Sequence, residues 1–147
     1  MTTDFSDTYF MRQALLEAQQ ALAEEEIPIG AVVVLDNKII GRGHNQTERL
    51  RDVTAHAEML ALTAAANHVG NKYLAGATLY VTVEPCVMCA GASYWAQVAR
   101  VVFGAEELKV GFRRFGHLLH PRTKLLGGVL ADECVALMRD FFALKRK

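Results

Sequence analysis

Apolar residues recur three and four positions apart near the start of the chain, with polar residues between them. This spacing places the apolar side chains on one face of a helix, so we predict an amphipathic helix over residues 8–25. Its apolar face consists of Met11, Ala14, Leu15, Ala18, Ala21 and Leu22. The helix should end before Pro28, and we expect the acidic run 24–26 to be its solvated end.

Five short apolar runs predict strands. They cover residues 30–35, 38–43, 78–83, 100–104 and 124–130. The first two flank a polar turn and predict a hairpin, whereas Gly127-Gly128 interrupts the last. A polar loop, 46–52, follows the hairpin.

The segments between the later strands have helical patterns. Thr54 is a suitable N-cap for a helix that reaches residue 69. Its predicted buried stripe is Ala55, Met59, Leu62 and Ala66. A further helix should begin at Pro85 and run to about residue 96, and a last one should cover 131–145. Because strands alternate with helices, we predict a three-layer α/β/α fold in which helices cover both faces of a five-stranded mixed sheet.

Composition sets limits on where the protein works and on what it binds. With 147 residues, 52% of them hydrophobic, the chain predicts one soluble domain over residues 1–147. No apolar stretch approaches the roughly 18 residues of a membrane span, and the N-terminus lacks the features of a secretion signal, so we expect a cytoplasmic protein. Sixteen basic and sixteen acidic residues cancel, which gives no support for binding nucleic acid through overall charge.

Cys86 and Cys89 lie one turn apart at the start of the helix that follows the third predicted strand. The N-terminal end of a helix favours thiolates and therefore metal binding. A lone Cys-x-x-Cys is also compatible with a redox pair, with half of a zinc ribbon or with coincidence. A ribbon needs a second such pair, which the sequence lacks, and a redox pair leaves His56-Ala57-Glu58 unexplained.

His56 is the strongest candidate for a third ligand. One histidine and two cysteines leave the fourth position of a zinc ion for water, which is the arrangement of a catalytic site. Glu58 would lie beside the metal and pass protons from the water to a substrate nitrogen and to a leaving group. This is the chemistry of hydrolytic deamination. The ligand types favour zinc, with iron as the competing metal.

The pattern His-x-Glu followed by Pro-Cys-x-x-Cys is typical of zinc deaminases. Over nearly its whole length the chain resembles the bacterial tRNA-specific adenosine deaminases, which are zinc-dependent members of the cytidine and deoxycytidylate deaminase superfamily. The segments that carry this resemblance are 26–31, 54–59, 77–92, 101–105, 128–134 and 140–142. The resemblance implies a cytidine-deaminase-like fold, and a homodimer that converts adenosine at the wobble position of a tRNA anticodon stem-loop to inosine.

The resemblance also implies roles for individual residues. His56, Cys86 and Cys89 would hold one Zn²⁺ per subunit, and Glu58 would shuttle protons. Asn45, which from its loop position alone predicts only a turn, matches the ribose-contacting asparagine of the family. The remaining substrate-binding residues would be Ile29, Ala31, Ala57 and Glu107. No DNA partner is expected.

Two departures from the family leave other functions open. Tyr94-Trp95-Ala96 is reminiscent of guanine deaminases, and Trp95 from its position alone is compatible with base stacking or with core packing. The loop after residue 105 also differs, with Glu107 where an aspartate is common. The alternatives are a deaminase of a free base or nucleoside, with guanine the best candidate, and a non-catalytic zinc-containing RNA-binding protein. Basic residues suited to phosphate contacts are Lys109, Arg113, Arg114, Arg122, Lys124 and the tail 145–147.

Overall fold

Apolar runs and amphipathic segments alternate along the chain, and each forms a strand or a helix in the structure, a computed structural model that describes residues 6–145. The strands are β1 (Gly30–Leu35), β2 (Lys38–His44), β3 (Thr78–Val83), β4 (Arg100–Ala105) and β5 (Lys124–Leu126). The helices are α1 (Asp7–Ala23), α2 (Thr47–Leu50), α3 (Ala57–Val69), α4 (Val87–Ala96) and α5 (Ala131–Lys145), with a 3₁₀ turn at Phe112–Arg114. The N-terminal residues 1–4 and the last two residues of the basic tail, 146 and 147, lie outside the described residues.

The five strands form one mixed sheet in the order β2-β1-β3-β4-β5. β1 pairs antiparallel with β2, as the predicted hairpin requires, and also antiparallel with β3. The pairs β3–β4 and β4–β5 are parallel. The predicted five-stranded mixed sheet is therefore confirmed, with its parallel half formed by the later strands.

Alternate residues of β1 face opposite layers of helices. Ala31 and Val33 pack into a core with α3 on one face of the sheet. Val32 and Val34 pack with α1 on the other face. α5 lies on the α1 side, where its Cys134 is buried. The fold is thus the predicted α/β/α sandwich with helices on both faces.

Two glycines of β2 allow α3 to lie directly against the sheet. A Cβ atom at Gly43 would collide with the carbonyl oxygen of Ala57, and one at Gly41 would collide with that of Ala61. A strand residue without a side chain permits this approach of two backbones. The first turn of α3 is therefore fixed against the end of β2, which sets where His56 and Glu58 lie.

The end of α1 differs from the prediction. The helix ends at Ala23, and Glu26 is only 1% exposed instead of forming a solvated end. Its carboxylate accepts the backbone N–H groups of Glu48 and Arg49 at 3.1 and 2.7 Å. These groups belong to α2, a single helical turn inside the segment predicted as a loop. Glu26 is buried because it satisfies donors that the short helix leaves unpaired.

The helices that carry the predicted ligands begin later than the sequence indicates. Thr54 does not cap α3, because its N–H and hydroxyl donate to Asp52 instead, and His56 is the N-cap. Of the predicted buried stripe, Ala55 and Leu62 are buried, whereas Met59 and Ala66 are only partly buried. The other buried apolar residues of α3 are Ala57, Ala61 and Ala65. Pro85 likewise precedes α4, whose N-cap is Cys86. Both helices have a metal-ligand candidate as their N-cap, and both start two residues after the predicted start.

Two further predictions need correction. β5 ends at Leu126, ahead of the two glycines, because Gly128 has a φ of 89°, which is outside the strand region. Trp95 is 74% exposed, so the core-packing interpretation of this residue is wrong. Among the described helices, none combines the length and the hydropathy needed to cross a membrane.

Candidate zinc and catalytic site

The N-terminal ends of α3 and α4 converge at the end of β3. His56 is the N-cap of α3, and Cys86 is the N-cap of α4. β3 delivers Cys86 to this point, because only Glu84 and Pro85 separate the two. The convergence of these two helix N-termini beyond the sheet brings together residues 30 positions apart in the sequence.

The three predicted ligands form one compact group of donors. The Nδ1 atom of His56 lies 3.6 Å from the Sγ of Cys86 and 3.5 Å from the Sγ of Cys89. The donor atoms of the three residues all lie within 4.8 Å of one another, close enough to share one metal ion. One imidazole nitrogen and two thiol sulfurs are ligands that zinc prefers. The residues present therefore fit a zinc ion with a fourth position open.

The hydrogen bonds among these three residues favour the thiolate form of Cys86. A hydrogen bond from Cys89, supported by His56, lowers the pKa of Cys86 to about 4. The same hydrogen bond, together with burial, raises the pKa of Cys89. The pKa of His56 is raised, first by its hydrogen bond to Cys86. Since the thiolate is the form that binds metal, Cys86 is prepared for ligation at neutral pH.

Glu58 lies in the first turn of α3, beside this group, and is 4% exposed. Burial is the main cause that raises the pKa of Glu58 to about 7, and the negative charge on Cys86 acts in the same direction. A carboxyl group that titrates near neutral pH can both accept and donate a proton under physiological conditions. Its position and its pKa suit a general acid and base.

A cavity of 310 Å³ opens onto the site and is lined mainly by apolar surface. Most of the predicted substrate and metal residues line it, namely Ile29, Asn45, His56, Ala57, Glu58, Cys86 and Glu107. Cys89 is fully buried and does not line the cavity, and Ala31 is buried in the core on the α3 side of the sheet rather than in the cavity lining. A volume of this size is at the lower end of the range for small-ligand sites, which suits one nucleobase with its sugar.

Asn45 is 5% exposed and follows β2 at the same end of the sheet. Its backbone N–H donates to the carbonyl of Ile29 at 3.1 Å, which fixes the residue next to the start of β1. Within residues 6–145, no group hydrogen-bonds to its side-chain amide. Buried polar side chains normally have partners, so an unpaired amide at a cavity wall is well placed to bind a ligand.

Other residues of the site were not predicted from the sequence. Glu84 is buried and accepts hydrogen bonds from the segment that carries Glu107. Met138 and Phe142 bring α5 into the cavity wall. The resemblance over 140–142 was the available signal for α5, whereas the pairing of Glu84 with a residue 29 positions away has no local signature.

The chain is similar in sequence to zinc-binding deaminases. Residues 5–105 match the family described as the cytidine and deoxycytidylate deaminase zinc-binding region. The chain is 43% identical over 146 residues to the tRNA-specific adenosine deaminase of Streptococcus pyogenes serotype M18, with 95% of this chain and 92% of the relative covered.

Two solved structures extend the comparison. One, from a study of A-to-I editing by tRNA deaminases at the wobble position of transfer RNA, has a TM-score of 0.83 and 41% identity, and covers 88% of this chain and 99% of its own. The other is a guanine deaminase from Nitrosomonas europaea, with a TM-score of 0.80 and 25% identity, covering 94% of this chain and 85% of its own. The fold is thus similar both to a tRNA deaminase and to a guanine deaminase. Of these two structures, the tRNA deaminase has the higher sequence identity to this chain.

Proposed function

This chain belongs to the tRNA-specific adenosine deaminases, within the wider family of zinc-binding cytidine and deoxycytidylate deaminases, and we propose that it converts adenosine at the wobble position of a tRNA anticodon to inosine. The observation that carries the proposal is Glu58, a buried carboxyl group with a pKa of about 7 beside three convergent metal-ligand candidates. A site built only to hold a structural metal ion needs no such proton carrier, which argues against a non-catalytic RNA-binding protein.

His56, Cys86 and Cys89 would hold the zinc ion. When bound, zinc supplies Lewis acidity that lowers the pKa of a water molecule to near neutrality. His56 and Cys86 reach it from two different helices, so the ion would also fix the two helix ends relative to each other. The buried Cys89 closes the site from the core side.

Glu58 would take a proton from the water and deliver it to the ring nitrogen beside the amino-bearing carbon of adenine. The water oxygen would bond to that carbon, and Glu58 would move the second proton of the water from this oxygen to the amino group, so that the C–N bond breaks, ammonia leaves and the carbonyl of inosine remains. The sum is adenosine plus water giving inosine plus ammonia. Glu58 lines the cavity and is only 4% exposed, so bulk water does not compete for the protons that it transfers.

Asn45 would donate to or accept from the ribose through its unpaired amide. Ile29 and Ala57 would form apolar walls for the base, and Glu107 would contact the nucleotide at the cavity mouth. Ala31, as part of β1, would support the wall from the core. An anticodon loop presents unpaired bases, so the target can enter the cavity without the cost of opening a duplex.

Basic residues beside the cavity wall support an RNA substrate. Lys109 and Arg114 are exposed on the segment that brings Glu107 and Val110 to the cavity, whereas Lys124 lies at the opposite end of the sheet, beside Arg100. Contacts from arginine and lysine to phosphates supply much of the affinity for nucleic acid. We further propose that the protein acts as a homodimer in the cytoplasm, where its tRNA substrate is available. The resemblance to the family supports the dimer.

Free guanine is the second candidate substrate, because Tyr94-Trp95-Ala96 is reminiscent of guanine deaminases and the Nitrosomonas europaea guanine deaminase has a similar fold. Zinc-loaded protein should be offered, in parallel, an anticodon stem-loop with a wobble adenosine, free guanine and free adenosine. We expect inosine in the stem-loop and no ammonia from the free compounds. Ammonia from guanine alone would replace the proposed substrate with guanine.

A further inference from the structure

Glu84 takes no part in the chemistry described above, yet its carboxylate is nearly inaccessible, with 2% of the side chain exposed. It accepts four hydrogen bonds, all from one later segment of the chain. The backbone N–H of Glu107 donates to Oε1 at 3.2 Å, and that of Arg113 donates to Oε2 at 3.1 Å. The Arg113 side chain donates through Nη2 to Oε1 and through Nε to Oε2, both at 3.1 Å.

These bonds hold the 106–114 segment, which forms part of the cavity wall through Glu107 and Val110. Burial holds the segment at Phe112, which is 2% exposed, whereas Leu108 and Val110 are 77% and 57% exposed and depend on the polar contacts. Two backbone contacts add to the attachment: the N–H of Phe112 donates to the carbonyl of Pro85 at 2.9 Å, and an isolated bridge joins residues 86 and 111. The wall is therefore attached beside a candidate zinc ligand.

The attachment has a demanding geometry. The two oxygens of Glu84 receive two nitrogens of one planar guanidinium group, a fork that lysine cannot reproduce. Arg113 also lies over the ring of Phe103, 4.8 Å from its centre. Gly111 passes so close that a Cβ atom there would lie 2.6 Å from the Cδ of Glu84. A buried carboxylate bonded in this way fixes its partners, since leaving it unpaired carries a high energetic cost.

We infer that Glu84 and Arg113 are positioning residues that hold the 106–114 segment as a wall of the substrate cavity. Through this segment they place Glu107 and Val110 against the nucleotide, and so determine how tightly the substrate binds. The nature of that substrate rests on the proposed function, whereas the attachment of the segment does not.

The kinetic test compares Arg113→Lys with the wild type on the wobble-adenosine stem-loop. Lysine keeps the positive charge but loses the fork, so KM should rise on the order of tenfold while kcat changes less than about twofold, as for a loss of uniform binding. Zinc content should be unchanged. Arg139→Lys, an exposed site on α5 with the same change in chemistry, should match the wild type. An unaltered KM in Arg113→Lys would overturn the inference, because it would mean that a positive charge without the two-nitrogen fork is sufficient at this position.

Hydrogen exchange tests the attachment without any substrate. In Glu84→Gln and in Arg113→Lys, the backbone amides at positions 107 and 113 should exchange at least about tenfold faster than in the wild type. A tenfold change corresponds to a loss of about 1.4 kcal/mol in the free energy of opening this segment. Glu106→Gln is the matched control, because this carboxylate is 61% exposed and lies 3.8 Å from Arg113. Unchanged protection would contradict the inference. If the wild type leaves the stem-loop unmodified, the proposed function fails and hydrogen exchange alone decides the role of Glu84.

Discussion

The carboxylate of Glu26 accepts the backbone N–H of Arg49 at 2.7 Å, which attaches α2 to the end of α1. Asn45 and Thr47, which line the cavity, lie between Glu26 and Arg49 in the chain. A single buried acid therefore fixes the segment that would contact the sugar of the substrate.

Replacing Glu26 by glutamine should weaken this attachment. The amide NH₂ would face a backbone N–H, so one buried donor would lose its acceptor. We expect the free energy of unfolding to fall by about 1–3 kcal/mol, as measured by urea denaturation. The control is Glu25→Gln, which makes the same chemical change at an exposed neighbour. Equal stability of the two variants would contradict the structural role of Glu26.

The ion pair between Asp7 and Arg100 should make stability depend on pH. The hydrogen bonds from Arg100 lower the pKa of Asp7, with a smaller contribution from the Tyr80 hydroxyl, which donates at 2.6 Å. Because the folded-state pKa is depressed, the stabilisation is present above the unfolded pKa of about 4 and is lost as the pH falls through the folded value.

The measurement is thermal unfolding of the wild type and Asp7→Asn between pH 7 and pH 2. At pH 7 the variant should be less stable by about 1 kcal/mol, a modest value because both side chains are about one-third exposed. The difference should shrink as the pH falls below 4. A difference that stays constant over this range would show that the charge of Asp7 is unimportant. Asp140→Asn, an exposed acid, is the control.

A methyl group at Gly43 should destabilise the protein. It would collide with the carbonyl of Ala57 and push α3 away from β2, at a cost of about 1–3 kcal/mol. Because Ala57 lies between His56 and Glu58, we also expect weaker zinc binding. Gly91→Ala is the matched control, since its Cβ atom would meet nothing within 4 Å, and it should be neutral or slightly stabilising. Similar melting temperatures for the two variants would contradict the close contact of α3 with β2.

Much of this arrangement could be predicted because the signals are local. The period of the apolar residues identifies the strands and the main helices, and the Cys86 and Cys89 spacing with His56 identifies the metal donors. The roles of Glu26 and Glu84 could not be predicted in this way. Each is a buried carboxylate whose partners lie more than 20 positions away, so the neighbouring sequence alone predicts a solvated acid. The starts of α3 and α4 were predicted too early because Asp52 takes Thr54 as its partner and Cys86, rather than Pro85, borders α4.

Zinc content should separate the predicted ligands from the third cysteine. Cys86→Ala and Cys89→Ala should each lose most of the metal, measured as zinc per chain after dialysis. Cys134→Ala should keep a full complement, because this thiol is buried against Gly104 and is not part of the donor group. Full zinc in either of the first two variants would remove that cysteine from the site.

The most direct test of the central claim is inosine formation in a wobble-adenosine stem-loop by the wild type and by Glu58→Gln, with zinc measured in both. Glutamine keeps the size of the side chain but cannot carry a proton. We predict inosine from the wild type, a loss of at least about 10²-fold in the variant, and equal zinc in both. Inosine formed at the same rate by zinc-loaded Glu58→Gln would contradict the assignment of Glu58, and no inosine from the zinc-loaded wild type would contradict the proposed reaction itself.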